Sequence, residues 1–305
     1  MKIATVTLNP AIDRSILYSE EFLPGELNRV NSATVNAGGK GVNVSRMLKK
    51  LGKDSDIYGF AGGYVGQMLC SMLKEEGLGN SFTETSAETR MNIKITDKNG
   101  KETEINENGG PVSQCELDAL LKGLKESDSD VFIIGGSTPK GLPDDTVKQI
   151  VGILKARGKT VICDISGQPL KFAIENKPYL IKPNRQEFCG LLGYTPDDYV
   201  MEAINFYNST GIEILLTLGK KGAVYSGRAG NCIVKNPEIT PKGFTGAGDT
   251  FLASYVYMLS MEKPFHEAIK FASAASLSKV ELTGTNLPDI EHINRNIDKV
   301  TVNQL

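Results

Sequence analysis

Short, unbroken apolar runs, each followed by a helix pattern, constrain the fold of this chain more than any other feature. Val131-Phe132-Ile133-Ile134 runs into Gly135-Gly136, Thr160-Val161-Ile162-Cys163-Asp164 follows a helix pattern, and Ile214-Leu215-Leu216-Thr217-Leu218 stops at Gly219. Such runs lack polar alternation, so neither strand face can meet water. They belong in a parallel sheet covered by helices on both sides. Helix patterns over 40–51, 67–76 and 146–156, stopped by Gly52, Gly77 and Gly158, supply that cover. The expectation is an α/β fold with a mostly parallel central sheet and helices on both faces, a single domain over 1–305.

Two regions break the rhythm. Residues 90–95 and 102–106 flank Lys98-Asn99-Gly100, and Asn-Gly is the strongest short hairpin signal. Residues 13–35 are also strand-like and contain Pro24-Gly25. The regions 13–35 and 90–106 are expected to form a small antiparallel sheet standing off the main domain. So small a sheet cannot bury both faces alone, so it should cover a cleft or a second subunit. Residues 265–299 read as packing helices.

Charge narrows the choice of partner. The 305 residues carry a net charge of −2 and a pI near 5.9, which argues against a nucleic-acid or anionic-membrane surface. An anionic substrate therefore needs a local cluster of cations. The five cysteines form no C-x-x-C pair and only two histidines are present, so a zinc site is not expected. Reduced thiols in or near the core are expected instead. Residues 3–8 read directly as a strand, without a secretory h-region or a span of about 20 apolar residues. A cytoplasmic protein without membrane contact is expected.

The run Pro241-Lys242-Gly243-Phe244-Thr245-Gly246-Ala247-Gly248-Asp249-Thr250-Phe251 leads into an apolar helix. Its glycines let backbone N–H groups approach an anion, and the helix N-terminus adds positive partial charge. A carboxylate beside an anion cradle suits phosphoryl transfer, the Asp taking the proton of the attacking hydroxyl. Alone, the run also reads as a glycine turn with Asp249 capping a helix. Four further clusters lie where ligands bind in parallel sheets, beyond the carboxyl ends of strands. Asp13, in Asn9-Pro10-Ala11-Ile12-Asp13, suits sugar hydroxyls or a turn. Gly38-Gly39-Lys40-Gly41-Val42-Asn43 allows close backbone approach with a cation, or is a glycine-rich helix start. Lys182-Pro183-Asn184-Arg185-Gln186-Glu187 places Asn and Glu on one helix face, suited to the water shell of Mg²⁺ or to a helix cap. Thr217-Leu218-Gly219-Lys220-Lys221-Gly222 suits a nucleotide or a plain strand-to-strand turn. Arg29 and Arg90 are candidate phosphate clamps, or solvated strand residues. Neither G-x-x-x-x-G-K-[ST] nor, after the first strand, a well-formed G-x-G-x-x-G occurs, which disfavours P-loop and dinucleotide enzymes.

Taken in order, these clusters resemble the PfkB (ribokinase-like) carbohydrate kinases over nearly the whole chain. The 37–45 glycine segment and the 243–251 segment are similar to the two family signatures, and Asn184-Arg185-Gln186-Glu187 to its N-x-x-E motif. Thr89-Arg90-Met91-Asn92, Gly136-Ser137-Thr138-Pro139-Lys140-Gly141 and Gly38-Gly39-Lys40-Gly41 resemble the hexose-phosphate kinase branch, with departures at Thr138, Thr245 and Thr250. The resemblance implies Asp249 as base, with the Gly246, Ala247 and Gly248 amides as anion hole. It implies Asp13, Gly38, Gly39 and Asn43 on the sugar, and Lys40, Arg90, Arg29 and Ser137 on its resident phosphate. Lys182, Asn184, Thr217, Gly219, Gly222 and Gly248 would line ATP, and Asn184 with Glu187 would hold Mg²⁺ through water. The implied substrate is a ketohexose phosphate, first fructose 1-phosphate, with tagatose 6-phosphate and fructose 6-phosphate as alternatives. A non-catalytic sugar-phosphate sensor is the rival outside the enzymes. The small sheet would act as a lid and as the interface of a homodimer.

Overall fold

The computed structural model describes residues 1–18 and 20–305; Ser19, inside the region expected to be strand-like, lies outside them. In chain order, β1 (Ile3–Thr7) leads to β2 (Ala11–Leu17) and β3 (Ser32–Gly38), then α1 (Lys40–Lys50), β4 (Asp56–Gly62), α2 (Gly63–Glu75) and β5 (Gly79–Thr85). The hairpin of β6 (Arg90–Thr96) and β7 (Glu102–Asn106) follows. Alternation resumes with α3 (Gln114–Glu126), β8 (Val131–Gly135), α4 (Thr146–Ala156), β9 (Thr160–Asp164), α5 (Gly167–Glu175) and β10 (Leu180–Ile181). Next come α6 (Arg185–Leu192), α7 (Tyr199–Thr210), β11 (Glu213–Thr217), β12 (Ala223–Gly227) and β13 (Gly230–Lys235). The chain closes with α8 (Ala247–Ser260), α9 (Phe265–Val280), α10 (Ile290–Ile297) and β14 (Thr301–Gln304).

Ten strands form one sheet, ordered β14-β13-β12-β11-β10-β9-β8-β1-β4-β5. The pairings from β11 to β5 are parallel, and those from β11 to β14 are antiparallel. Alternate residues of one strand serve opposite cores, which is why the runs are apolar throughout. In β8, Phe132 and Ile134 join the cluster of Leu117, Leu120 and Ile150 from α3 and α4. Val131 and Ile133 join Met47, Leu252 and Ala272 from α1, α8 and α9. β9 and β11 divide in the same way. Each such buried side chain is worth about 1.5–3 kcal/mol.

β1 lies between β8 and β4, so the strand order reverses there, and a cleft opens beyond the carboxyl ends at that point. The small sheet, ordered β3-β2-β6-β7, stands at this same end, since only three residues separate the end of β1 from the start of β2. It differs from the expected antiparallel sheet in one respect: its central pair, β2 with β6, is parallel. Each of those strands follows one strand of the parallel main sheet, β1 or β5, and enters the small sheet in the same direction. β14 was not expected either, because a run of Thr, Val, Asn and Gln carries little apolar signal. The helix expected at 67–76 begins earlier, at Gly63. Cys163 and Cys232 are buried, whereas Cys115 is exposed, unlike the core position expected for it; all five cysteines are free. Among the described residues no helix is long and apolar enough to cross a membrane.

Candidate active site

The N-terminal glycine run carries the chain from β3 into α1. A Cβ on Gly38 would overlap the Asp13 carboxylate, and one on Gly41 would overlap the Thr7 hydroxyl. Gly39 caps α1 at φ 116°, in the region that disfavours side chains. The glycines thus let backbone lie directly against Asp13 and β1. Asp13 Oδ1 in turn accepts a hydrogen bond from Asn92 Nδ2 at 2.8 Å, across the β2–β6 register.

The second glycine turn starts α8. Gly246 sits at φ 76°, and the first intrahelical bond runs from Thr250 N–H to Gly246 O at 2.9 Å. The Ala247 amide is engaged, donating to Phe244 O at 3.2 Å. The Gly246, Gly248 and Asp249 amides have no acceptor among the described residues. The cradle therefore offers Asp249 N–H where Ala247 N–H was expected, with the helix dipole behind it.

Asp249 is buried in the first turn of α8 and accepts from Asn43 Nδ2 at 2.8 Å. Burial first, and then the charge of Asp164, push its carboxyl up to about 6, against the Asn43 hydrogen bond and the charges of Lys182 and Lys40. A carboxylate in that range is a competent base at neutral pH.

Asp164, the last residue of β9, is the member of the site that the motif reading missed. It is fully enclosed and meets Lys40 Nζ at 3.0 Å and Lys182 Nζ at 3.1 Å. Burial alone would raise its pKa, but the two ammonium groups hold it below the ordinary carboxylate value. Lys40 also lies 3.7 Å from Glu187 Oε1. Burial works against the Lys40 charge, and the Asp164 and Glu187 carboxylates outweigh it, raising the Lys40 pKa. Lys182 Nζ would lie 3.5 Å from a Cβ on Gly248, so its charge adjoins the amide cradle. The signal for Asp164 was present in its position, at the carboxyl end of a buried parallel strand. Lys279 had no such signal. Buried late in α9, it donates from Nζ to Gly284 O at 2.7 Å.

The remaining expected residues divide. Asn184 and Glu187 make a reciprocal capping box, at 2.9 Å and 2.8 Å, so Asn184 Oδ1 and Glu187 Oε2 cap α6 while Glu187 Oε1 faces Lys40. Arg90 donates to Asn9 O and Glu107 O, each at 3.1 Å, and burial lowers its pKa against the charges of Asp13 and Glu107. Ser137 Oγ accepts from Asn9 Nδ2 at 3.1 Å, which ties the ends of β8 and β1. Arg29 is exposed in the β2–β3 loop and meets none of these groups. Thr217 N–H donates to Pro183 O at 3.0 Å, joining the end of β11 to the 182–187 segment. Gly219 and Gly222 turn β11 into antiparallel β12, and a Cβ on Gly222 would overlap Val234 O. Lys40 is therefore grouped with Asp164, Lys182 and Glu187, and Arg90 with Asn9 and the small sheet.

Known proteins identify the family and the fold. The pfkB family carbohydrate kinase profile matches residues 6–292. The 1-phosphofructokinase of Bacillus subtilis is 34% identical, over 99% of this chain and 100% of its own. A solved structure of a possible 1-phosphofructokinase from Thermotoga maritima superposes with a TM-score of 0.90 at 30% identity, covering 100% of both chains. Phosphofructokinase-2 of Escherichia coli, solved in complex with potassium, gives a TM-score of 0.92 at 25% identity over 97% of this chain and 98% of its own. The α/β architecture with its separate small sheet is the ribokinase-like one, and the chain belongs to the pfkB family of carbohydrate kinases.

Proposed function

We propose that this kinase transfers the γ-phosphoryl group of ATP to the 6-hydroxyl of fructose 1-phosphate, giving fructose 1,6-bisphosphate and ADP. One observation carries the chemistry: a buried carboxylate, Asp249, shares the first turn of a helix with free amides and adjoins two lysines paired through Asp164. The sugar assignment is supported by relatives named 1-phosphofructokinase over the full chain. In this reading Asp249 takes the hydroxyl proton as the sugar oxygen bonds to the γ-phosphorus and the bond to the ADP oxygen breaks. The Gly246, Gly248 and Asp249 amides, Lys182 and Lys40 stabilise charge on the moving group. Lys40 thereby acts on the transferred phosphoryl group. Asp13, Gly38, Gly39 and Asn43 orient the sugar, and Arg90 with Ser137 faces its resident phosphate. Thr217, Gly219 and Gly222 flank the nucleotide, with Asn184 beside it.

The donor set bears on Mg²⁺. Glu187 has one oxygen outside the capping box, both Asp164 oxygens face lysines, and no cluster of three ligating side chains occurs among the described residues. That set fits a hydrated ion held through water by Glu187 and Asn184. Bound there with ATP, Mg²⁺ would neutralise charge on the phosphate oxygens. A cytoplasmic setting accords with the need for ATP.

A panel of kcat/KM values tests the substrate. Fructose 1-phosphate should exceed tagatose 6-phosphate, fructose 6-phosphate and fructose, the last by about 10²-fold or more, because it leaves the phosphate site unpaired. Equal use of fructose would exclude a phosphate site. The small sheet is proposed as both lid and homodimer interface, one domain with the main sheet. Leu17 and Ile105 are exposed on it, and Leu27 in its connecting loop, and a second copy would cover this apolar surface. Sedimentation equilibrium should give twice the chain mass at micromolar concentration, and the mass of one chain would rule the interface out.

A further inference from the structure

The structure assigns a positioning role to Arg46: it locks the Asn43 side-chain amide so that only its NH₂ group can face Asp249. This rests on Asp249 being the base, as proposed above. Asn43 and Arg46 are three residues apart on α1, so their side chains are neighbours. Arg46 Nη1 reaches Asn43 Oδ1 at 3.4 Å, and Asn43 Nδ2 donates to Asp249 Oδ2 at 2.8 Å. The guanidinium is itself fixed from two sides. Nη2 donates to Ala37 O at 3.0 Å, at the start of the first glycine run. Nε and Nη2 hold the two oxygens of Glu76, just past α2, at 2.5 Å and 2.8 Å. Arg46 also lines a cleft with Gly246, Thr245 and Thr250 beside the start of α8.

The lock matters because an amide has two faces of opposite sense. With NH₂ toward Asp249, Asn43 favours the ionised carboxylate that can accept a proton. Turned over, its oxygen would accept from a protonated Asp249 and hold the base in its inactive form. Arg46 offers a donor to that oxygen on the side away from Asp249, so the flipped amide would leave both an N–H and an oxygen facing the wrong partners. The charged groups that act on Asp249 include Asp164 on β9, Lys40 on α1 and Lys182 after β10. Lys279 of α9 lies behind Gly246, and Lys94 of β6 donates to Thr245 Oγ1 at 3.2 Å. None of these contacts the Asn43 amide, so they do not select its orientation.

The test is the acid limb of the kcat/KM profile of the full-length enzyme with ATP, Mg²⁺ and whichever ketohexose phosphate it turns over fastest. The limb position does not depend on the fraction of folded protein, so partial unfolding does not imitate the effect. Arg46→Gln should move the limb to higher pH by about half a unit to one unit, a three- to tenfold loss below it. Arg46→Lys should move it in the same direction, because one ammonium cannot span Ala37, Glu76 and Asn43 together. In an Asn43→Ala background, where the limb is already displaced, Arg46→Gln should add no further shift. An unmoved limb in Arg46→Gln, a wild-type limb in Arg46→Lys, or an equal shift in the Asn43→Ala background would each overturn the assignment. Asp249→Asn separates the two levels. If that variant is inactive and the Arg46 limb is unmoved, only the lock fails; if it is fully active, the base reading fails and the lock falls with it.

Discussion

Asp249→Asn should lower kcat by about 10²–10⁴-fold, the usual worth of a positioned general base, while KM for ATP changes little. The substitution is isosteric, and Asn43 keeps a partner at that position. Burial and the neighbouring Asp164 charge both oppose ionisation of Asp249. The neutral amide therefore relieves a strain that the wild type carries, and the variant should unfold at the same temperature or higher. Loss of rate with undiminished stability separates a chemical role from a structural one. The wild-type pH profile follows from the same cause. A base works only when ionised, and Asp249 is pushed up to about 6. kcat/KM should then rise by about tenfold per pH unit below that value and level off above it. Near-wild-type kcat in the Asn variant, or a profile flat from pH 5 to 8, would remove Asp249 from the chemistry.

Much of this arrangement is legible in the sequence. The parallel sheet can be read because both faces of β8, β9 and β11 are apolar, a pattern that few other environments tolerate. The Gly38–Gly41 and Gly246–Asp249 turns can be read because close backbone approach needs glycine, and glycine in sequence is visible. Their proximity to each other is not local information. Asn43 and Asp249 lie 206 positions apart and meet because α1 packs against α8.

What stayed hidden has a physical reason in each case. Asp164 carries no motif, and its function depends on two lysines brought from α1 and from the end of β10. A lysine in a glycine run signals an anion without saying which. Lys40 pairs with Asp164 and Glu187, and it is on this pairing that the function proposed above sets it on the transferred phosphoryl group instead of the sugar's resident phosphate. Asn184 and Glu187 suit both a cap and a metal shell by sequence; the cap is present, with one Glu187 oxygen on α6 while the other faces Lys40, and the metal shell belongs to the proposed function.

Asp164→Ala is expected to be the most damaging change to the fold of the site. It leaves the Lys182 ammonium, which is 4% exposed and has no other carboxylate within ion-pair distance among the described residues, buried without a counter-charge. Removing one partner of a buried pair costs about 3–5 kcal/mol, readable as a lower urea midpoint with an unchanged slope. Lys40 loses less, since Glu187 remains at 3.7 Å. Adding Lys182→Met to Asp164→Ala should restore most of the stability, because removing both charges spares the desolvation cost. It should not restore kcat, because the charge beside the Gly248 amide is gone. The sign with pH is fixed by the lowered pKa of Asp164: its contribution to stability is full above its ordinary value of 3.8 and disappears as pH falls through the lower folded value. Activity supplies a second reading. The Asp164 charge raises Asp249, so the residual activity of Asp164→Ala should show its acid limb at lower pH than wild type, opposite to the shift expected of Arg46→Gln. Stability equal to wild type in the single variant would mean that the two lysines do not need Asp164, and a limb displaced upward would mean that its charge does not act on the base.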